Sequence, residues 1–231
     1  GRLGIYYECA QSDEIKYTMP CAIRFDSTID PEKLRDAIFE AIEAHPYLKT
    51  RIITTSEGEL RQKRCDDAEI DEIEIVEIDS ISDREIMDRD IKFIPLDDNQ
   101  LFRFKIYRTP EETILFSDFH HIITDGVSQD LLFEDIINAY EGNELNSELV
   151  DGFVYSLIEQ ELSDNEISKA YYQNKFAQGF ESTVLTPDLN GNPDEATIKL
   201  LEDVMDSTFV RLFCKDHSIS PNVLFMSATL R

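Results

Sequence analysis

Residues Thr113–Gly126 read TILFSDFHHIITDG, and this stretch passes from a strand pattern into a turn. Neighbouring residues on an extended strand point to opposite faces of a sheet, so His120 and His121 are predicted to face opposite sides. One imidazole can then be structural while the other faces a channel. The strand pattern ends at Thr124-Asp125-Gly126, where glycine permits a positive φ and a close approach to the backbone.

The two histidines give this stretch more potential chemistry than any other part of the sequence. Histidine has an unperturbed pKa of about 6.5, so it can take a proton from an attacking amine or hydroxyl near neutral pH. A structural interpretation is equally open at this point. In that interpretation His120 and His121 are partly buried strand residues, and Asp125 is only the N-cap of the helix that follows.

Strand and helix patterns surround this stretch on both sides. A strand over Leu101–Arg108 and a short turn-forming connection precede the strand at Thr113–His121, which predicts an antiparallel hairpin. Further strands are predicted over Tyr17–Asp26, Tyr47–Thr55, Leu60–Lys63, Ile70–Ile78 and Ile198–Asp203. Helices are predicted from Asp30-Pro31 to His45 and over Ser82–Phe93, Val127–Tyr140, Phe153–Leu162, Asn165–Phe176, Asp206–Asp216 and Ser220–Arg231. The segment Thr183–Asp194 is predicted to be a loop.

The composition argues against nucleic acid as a partner. The chain has 231 residues, enough for one large or two small domains, and its 48 acidic against 22 basic residues give a formal net charge of −26. Nucleic acid is not an expected partner, because phosphate binding needs clustered cations. The acidity is typical of a self-repelling, soluble surface.

The cysteines and the hydropathy pattern predict a cytoplasmic protein without a metal site. The four cysteines, Cys9, Cys21, Cys65 and Cys214, lie far apart and form none of the close pairs that hold zinc. The sequence has no signal peptide and no apolar run near the length that spans a bilayer, so we expect no membrane association and reduced thiols.

Five segments of the sequence, in the expected order, resemble the condensation-domain superfamily of non-ribosomal peptide synthetases. His120-His121 followed by Asp125-Gly126 at a strand end matches the family signature His-His-x-x-x-Asp-Gly. The other segments are His45–Ile52, Pro95–Phe104, Ala139–Gly142 and Gly4–Tyr7. In the first of these, Pro46 and Lys49 depart from the family pattern.

The resemblance implies an α/β fold, an α+β sandwich in which a mixed sheet is flanked by helices. Condensation domains have two lobes, each resembling chloramphenicol acetyltransferase, with the active site in a tunnel between them. Residues 1–180 would form the first lobe, residues 181–195 a connecting loop, and residues 196–231 a truncated start of the second lobe. Because the later motifs of the second lobe are missing, the chain alone is expected to lack a complete site.

The resemblance also implies an amide-forming acyltransferase. Donor acyl and acceptor aminoacyl groups would arrive on phosphopantetheine arms of upstream and downstream carrier domains, with an adenylation domain expected in the same protein and no cofactor bound directly. His121 matches the catalytic position, as a general base or as the group that positions the amine and stabilises charge. His120 matches the supporting histidine, Asp125 an aspartate held by an arginine, and Gly126 the small residue that keeps the tunnel open.

Lysine stands at position 49 where the family usually has arginine. An ammonium group cannot reproduce the bidentate contact of a guanidinium, so the resemblance does not carry a pairing of Lys49 with Asp125.

Four other functions are alternatives to condensation. An epimerisation domain shares the signature and depends on a glutamate in the missing second lobe. A stand-alone acyltransferase that uses coenzyme A or a carrier would lack the downstream synthetase domains. A degenerate domain would only dock carrier or tailoring proteins, although the intact His121 and Asp125 argue against it. Heterocyclising relatives are disfavoured, because they have aspartate where this chain has His120.

Overall fold

A mixed four-stranded sheet organises the larger of two structural units in the computed structural model. The model describes residues 2–10, 15–147, 151–163, 165–179 and 204–229. The chain divides into one unit over Gly1–Gln173 and a second over Asn174–Arg231. No helix within these described ranges is long and apolar enough to cross a membrane.

Strands and helices alternate irregularly along the chain. The strands are β1 (Cys21–Asp26), β2 (Arg51–Thr54), β3 (Leu60–Lys63), β4 (Glu74–Glu77), β5 (Phe102–Arg108) and β6 (Glu112–Phe119). The helices are α1 (Arg2–Cys9), α2 (Pro31–Ala44), α3 (Asp83–Asp90), α4 (Gly126–Glu141), α5 (Asp151–Ser163), α6 (Glu166–Lys175), α7 (Ser207–Asp216) and α8 (Pro221–Thr229).

The main sheet has the order β1-β6-β5-β4, and β2 pairs with β3 in a separate hairpin. β6 is antiparallel to both of its neighbours, whereas β4 runs parallel to β5, so the sheet is mixed as predicted. The predicted β5–β6 hairpin is confirmed. Its turn is closed by Thr109, whose backbone N–H donates to the Glu112 carbonyl at 2.9 Å and whose hydroxyl accepts the Glu112 N–H at 3.0 Å.

The two faces of the sheet carry different hydrophobic clusters. Phe102, Phe104 and Ile106 of β5 alternate onto one face and pack into the main core with apolar residues of α2 and α4. The opposite face presents Tyr107 of β5 and two residues of β6 to a smaller cluster that includes Ile86 of α3. The hairpin therefore lies buried between helices on both sides, which explains why nearly every residue of β6 is apolar or shielded.

The predicted start and stop of α2 are confirmed. The Asp30 carboxylate accepts the backbone N–H groups of Glu32 and Lys33, and Pro31 occupies the first turn. The helix ends at His45 because Pro46 cannot continue it.

Several predicted boundaries are wrong. Residues 47–49 belong to a 3-10 turn over Pro46–Lys49, because the Leu48 N–H bonds back to the His45 carbonyl, and β2 starts only at Arg51. The predicted strand over residues 70–78 pairs only at β4, and the helix predicted over residues 82–93 ends at Asp90. Helix α1 carries no start signal and was not predicted. The loop and strand predicted at Thr183–Asp194 and Ile198–Asp203 lie outside the described residues, as does the last part of the helix predicted to reach Arg231.

Asp118 of β6 is a fully buried acid on the face that carries the smaller cluster. Its nearest cation is Arg103 of β5, with 3.3 Å between Nη2 and Oδ2, and neither carboxylate oxygen has a well-formed hydrogen bond. Burial raises the pKa of Asp118 to about 6, and the charge of Arg103 offsets only part of that shift.

We predict that Asp118→Asn stabilises the protein at pH 7. The folded-state pKa lies above that of the unfolded chain, so ionisation of Asp118 destabilises the fold as the pH rises from about 4 to about 6. The variant should gain about 2 kcal/mol in free energy of unfolding at pH 7 and nothing near pH 4. Urea unfolding at both pH values measures this difference. The exposed control Asp67→Asn should change the free energy of unfolding by less than about 0.5 kcal/mol. An Asp118→Asn variant less stable than wild type at pH 7 would contradict the prediction.

Candidate active site

The backbone of the two histidines is held by an extension of the β1–β6 ladder. Beyond β1, the Met19 N–H donates to the Phe119 carbonyl at 2.8 Å, and Thr18 forms an isolated antiparallel bridge with His120. The His121 N–H then donates to the Tyr17 carbonyl at 2.7 Å. These contacts keep the register of the strand pair. Both histidines therefore lie just beyond the end of β6 in a fixed orientation.

His120 is buried, with 2% of its surface exposed. Its Nδ1 accepts the backbone N–H of Ile122 at 3.1 Å, so in the neutral ring the proton lies on Nε2. That Nε2 faces the Sγ atom of Cys9 at 3.7 Å. Burial, and secondly the neighbouring His121, lower the pKa of His120 to about 4. The ring is therefore a neutral structural group at physiological pH.

His121 is exposed and adopts the opposite tautomer to His120. Its Nδ1 lies 2.8 Å from the carbonyl oxygen of Thr124. Because a carbonyl can only accept, Nδ1 carries the proton of the neutral ring and the Nε2 lone pair is left open. The structure thus buries the imidazole of His120 and exposes that of His121.

Asp125 caps the N-terminus of α4. Its carboxylate accepts the backbone N–H of Ser128 at 2.8 Å and the Ser128 hydroxyl at 2.7 Å, and these bonds lower its pKa. In the described part of the chain no arginine pairs with Asp125. The arginine partner implied by the family resemblance is therefore not found there, and the role of Asp125 in a salt bridge stays a prediction.

Gly126 does not adopt the positive φ that a glycine permits at such a turn. It is the first residue of α4, and positive φ among the described glycines occurs at Gly58, Gly142 and Gly179. An added Cβ at Gly126 would meet no atom within 4 Å. The turn is tightened instead by the Ile123 N–H, which donates to the His120 carbonyl at 3.1 Å.

Lys49 lies away from the motif and is buried. Its ammonium pairs with Glu43 at 2.5 Å and donates to the Asp66 carbonyl at 3.0 Å. Lysine at this position therefore ties the end of α2 to the segment that follows β3 rather than reaching Asp125.

A cleft of about 280 Å³ opens beside the motif within the larger unit. One wall comes from the motif and α4, and the other from the 3-10 turn and α5. The residues that line it are His45, Tyr47, Leu48, Ile123, Thr124, Ser128, Leu131, Leu132, Gly152 and Tyr155. The cleft is mostly apolar with a few hydroxyl and imidazole groups, which is the usual character of a small-molecule pocket.

Two contacts fix the walls of this cleft. His45 Nε2 lies 2.7 Å from the Asp135 carboxylate and so joins the end of α2 to α4. The ring of Tyr47 packs against α5 at Gly152, where an added Cβ would come within 2.9 Å of the ring. In the sequence, His45 belongs to a segment that resembles the family but has no predicted role there. No sequence pattern singles out Tyr47, Gly152 or Cys9. The contacts join residues about a hundred positions apart, for which a single sequence carries no signal.

No group of three or more potential metal ligands comes together among the residues that the structure describes. The site offers one open imidazole nitrogen, a capped helix terminus and an adjoining apolar cleft.

Comparisons with known proteins agree with the geometry. A family model described as Condensation domain matches residues 5–230. Bacitracin synthase 2 of Bacillus licheniformis is 31% identical over 172 residues, covering 72% of this chain and 6% of that protein. Surfactin synthase subunit 1 of Bacillus subtilis (strain 168) is 28% identical over 157 residues, covering 68% of this chain and 4% of that protein. The chain thus spans a small fraction of the length of these relatives.

Solved structures share the fold of this chain. The starter condensation domain of rhizomide synthetase RzmA superposes with a TM-score of 0.68 at 16% identity, covering 78% of this chain and 47% of that chain. The X-domain from teicoplanin biosynthesis gives a TM-score of 0.66 at 20% identity, covering 82% of this chain and 45% of that chain. The predicted chloramphenicol acetyltransferase-like α/β lobe is confirmed.

We predict that Asp125→Ala lowers the free energy of unfolding by about 1 kcal/mol, because it removes the acceptor for the first turn of α4. Asp125→Asn should retain most of the stability, since an amide oxygen caps almost as well. Thermal unfolding of both variants measures the difference. The control is Asp130→Ala, an exposed position within α4, where we expect a change within about 0.5 kcal/mol. Equal losses in the alanine and asparagine variants would contradict a capping role.

Proposed function

Because the chain belongs to the condensation-domain family of non-ribosomal peptide synthetases, we propose that its parent protein joins a donor acyl group to an acceptor amine as an amide. The observation that carries the proposal is the open Nε2 of His121, whose ring is oriented by the Nδ1–H bond to the Thr124 carbonyl. An acylation of this kind needs a proton acceptor at the attacking amine, and His121 is suited to that task.

The proposed reaction transfers the acyl group from sulfur to nitrogen. The amine of the acceptor attacks the thioester carbonyl of the donor, a C–N bond forms, and the C–S bond breaks. His121 Nε2 takes the proton that the amine loses, and the departing thiolate receives a proton in turn. If His121 only positions the amine and stabilises charge, the bonds made and broken are the same.

The other motif residues have supporting parts in this proposal. The neutral ring of His120 holds the turn from within the protein, since its Nδ1 accepts the Ile122 N–H. Asp125 fixes the start of α4 through Ser128. The open space around the Cα of Gly126 leaves room for a substrate arm.

The wider assembly is also part of the proposal. Phosphopantetheine arms of upstream and downstream carrier domains would present the two substrates in the cytoplasm, and an adenylation domain would lie in the same protein. Residues 1–180 would form the first lobe, residues 181–195 the connecting loop, and residues 196–231 the start of the second lobe. The chain divides into two compact units between Gln173 and Asn174, which supports an end of the first lobe near residue 180.

A docking domain is the second candidate. The X-domain from teicoplanin biosynthesis shares the fold, and a solved complex joins that X-domain to OxyB. A chain with the same fold could likewise bind a tailoring protein without catalysing a reaction. The open Nε2 of His121 favours condensation over this alternative.

We predict that His121→Ala lowers amide formation at least about 100-fold if His121 is the general base. The complete condensation domain of the parent protein would be supplied with a donor-loaded and an acceptor-loaded carrier protein, and the amide product followed by mass spectrometry. The matched control is His217→Gln, which changes an exposed histidine at the end of α7 and should leave the rate unchanged.

Each outcome of this experiment selects one function. Loss of amide in His121→Ala alone supports condensation with a role for His121. Exchange of the α-proton on a carrier-bound residue, without amide, indicates epimerisation. If the wild-type domain gives neither product, the docking alternative replaces the proposal.

A further inference from the structure

Helix α1 contacts the motif directly through Cys9 and indirectly, by way of Tyr17, through Glu8, although it lies more than a hundred residues earlier in the chain. Cys9, at the C-terminal end of the helix, faces the imidazole of His120. Glu8, the preceding residue, accepts a hydrogen bond from the hydroxyl of Tyr17 at 2.5 Å. The carbonyl of Tyr17 in turn accepts the N–H of His121.

From these contacts we propose that Glu8 and Cys9 are positioning residues for the motif, each acting on one histidine. This inference rests on the proposed function of His121. Neither residue touches the open Nε2 of His121 in the structure, so each acts through a neighbour.

The contact of Cys9 satisfies the buried Nε2–H of His120 and holds the ring in place, while the Ile122 N–H sets the tautomer. The Ile122 N–H occupies Nδ1, so the proton on Nε2 needs an acceptor within the protein. Sγ of Cys9 is the acceptor at 3.7 Å, and both residues are buried. Burial, followed by the charge of Glu8, raises the pKa of the Cys9 thiol, so the sulfur stays neutral and forms a weak, non-ionic contact.

Glu8 acts on His121 through an unusual backbone conformation. Tyr17 has a φ of 54°, in the left-handed region that an aromatic residue rarely adopts. Both ends of this residue are held, because its hydroxyl bonds to Glu8 and its carbonyl accepts the His121 N–H. Strained residues persist only where surrounding contacts hold them, and they cluster at functional sites. Glu8 therefore keeps the Tyr17 carbonyl in place for His121.

The body of α1 is anchored independently of these two polar contacts. Ile5 and Tyr6 pack against the main hydrophobic core. Removing the carboxylate of the exposed Glu8 should therefore free Tyr17 while the helix remains in place.

The test uses the complete condensation domain with ¹⁵N-labelled histidine, and its first readout is the ring tautomer by NMR. We expect Nδ1–H for His121 and Nε2–H for His120 in the wild type. In Glu8→Ala, His121 should populate both tautomers, whereas Glu8→Gln should restore the wild-type state because its amide oxygen can accept the Tyr17 hydroxyl. The matched control Glu57→Ala removes an exposed carboxylate from the β2–β3 turn and should change nothing.

The second readout is the rate of amide formation. Glu8→Ala should lower kcat about tenfold with KM for both loaded carriers unchanged, since the histidine is displaced rather than removed. Glu8→Gln should recover the rate. In Cys9→Ala the Ile122 N–H should still hold His120 as the Nε2–H tautomer, but the ¹⁵N shift of Nε2 should change because its acceptor is gone. Cys9→Ser, which keeps an acceptor, should retain the wild-type shift.

The outcomes separate this inference from the proposed function. A wild-type tautomer of His121 in Glu8→Ala together with an unchanged Nε2 shift of His120 in Cys9→Ala would overturn the positioning role, whatever the activity. Altered tautomers in a domain that forms no amide would support positioning while the proposed function fails. If Cys9→Ala does not fold, the comparison of Glu8→Ala with Glu8→Gln decides alone.

Discussion

The antiparallel ladder between residues 17–26 and 112–121 positions most of what surrounds it. It keeps one register from the Asp26–Glu112 pair through the bridge of Thr18 with His120. Side chains alternate along such a ladder, so this register alone decides which residues of β6 face α2 and α4 and which face α3. A slip of one residue would turn every buried side chain of β6 to the wrong face and would exchange the two histidines.

Burial then gives the two histidines different properties from the same chemistry. His120 enters the protein interior, where desolvation lowers its pKa and its ring nitrogens must find partners within the chain. His121 stays at the surface with one nitrogen committed to the Thr124 carbonyl and the other open. Asp118 lies two residues before His120 and is buried in the same way. Burial disfavours its charged form and raises its pKa. The strand thus combines a rigid interior with an accessible end.

The surroundings of the motif come from distant parts of the chain. Cys9 and Glu8 reach it from α1, and His45 reaches the adjoining cleft wall from the end of α2 through Asp135. The motif by itself offers an imidazole and a helix cap. The contacts from distant elements determine how firmly the turn is held and what shape of cleft lies beside it.

The sequence by itself determined the strand-turn-helix order around His121, the α2 boundaries, the β5–β6 hairpin and the family, because these follow from local periodicity, caps and a specific motif. It gave no reliable sign of α1, the 3-10 turn or the conformation of Gly126. Only the tertiary structure decided that Asp125 is a cap, that Lys49 pairs with Glu43, and that Cys9 faces His120. The contact of Cys9 with His120 joins residues 111 positions apart, and local propensity does not encode such a meeting. The other two contacts are short-range, but which partner each side chain takes depends on how the turn and the end of α2 fold.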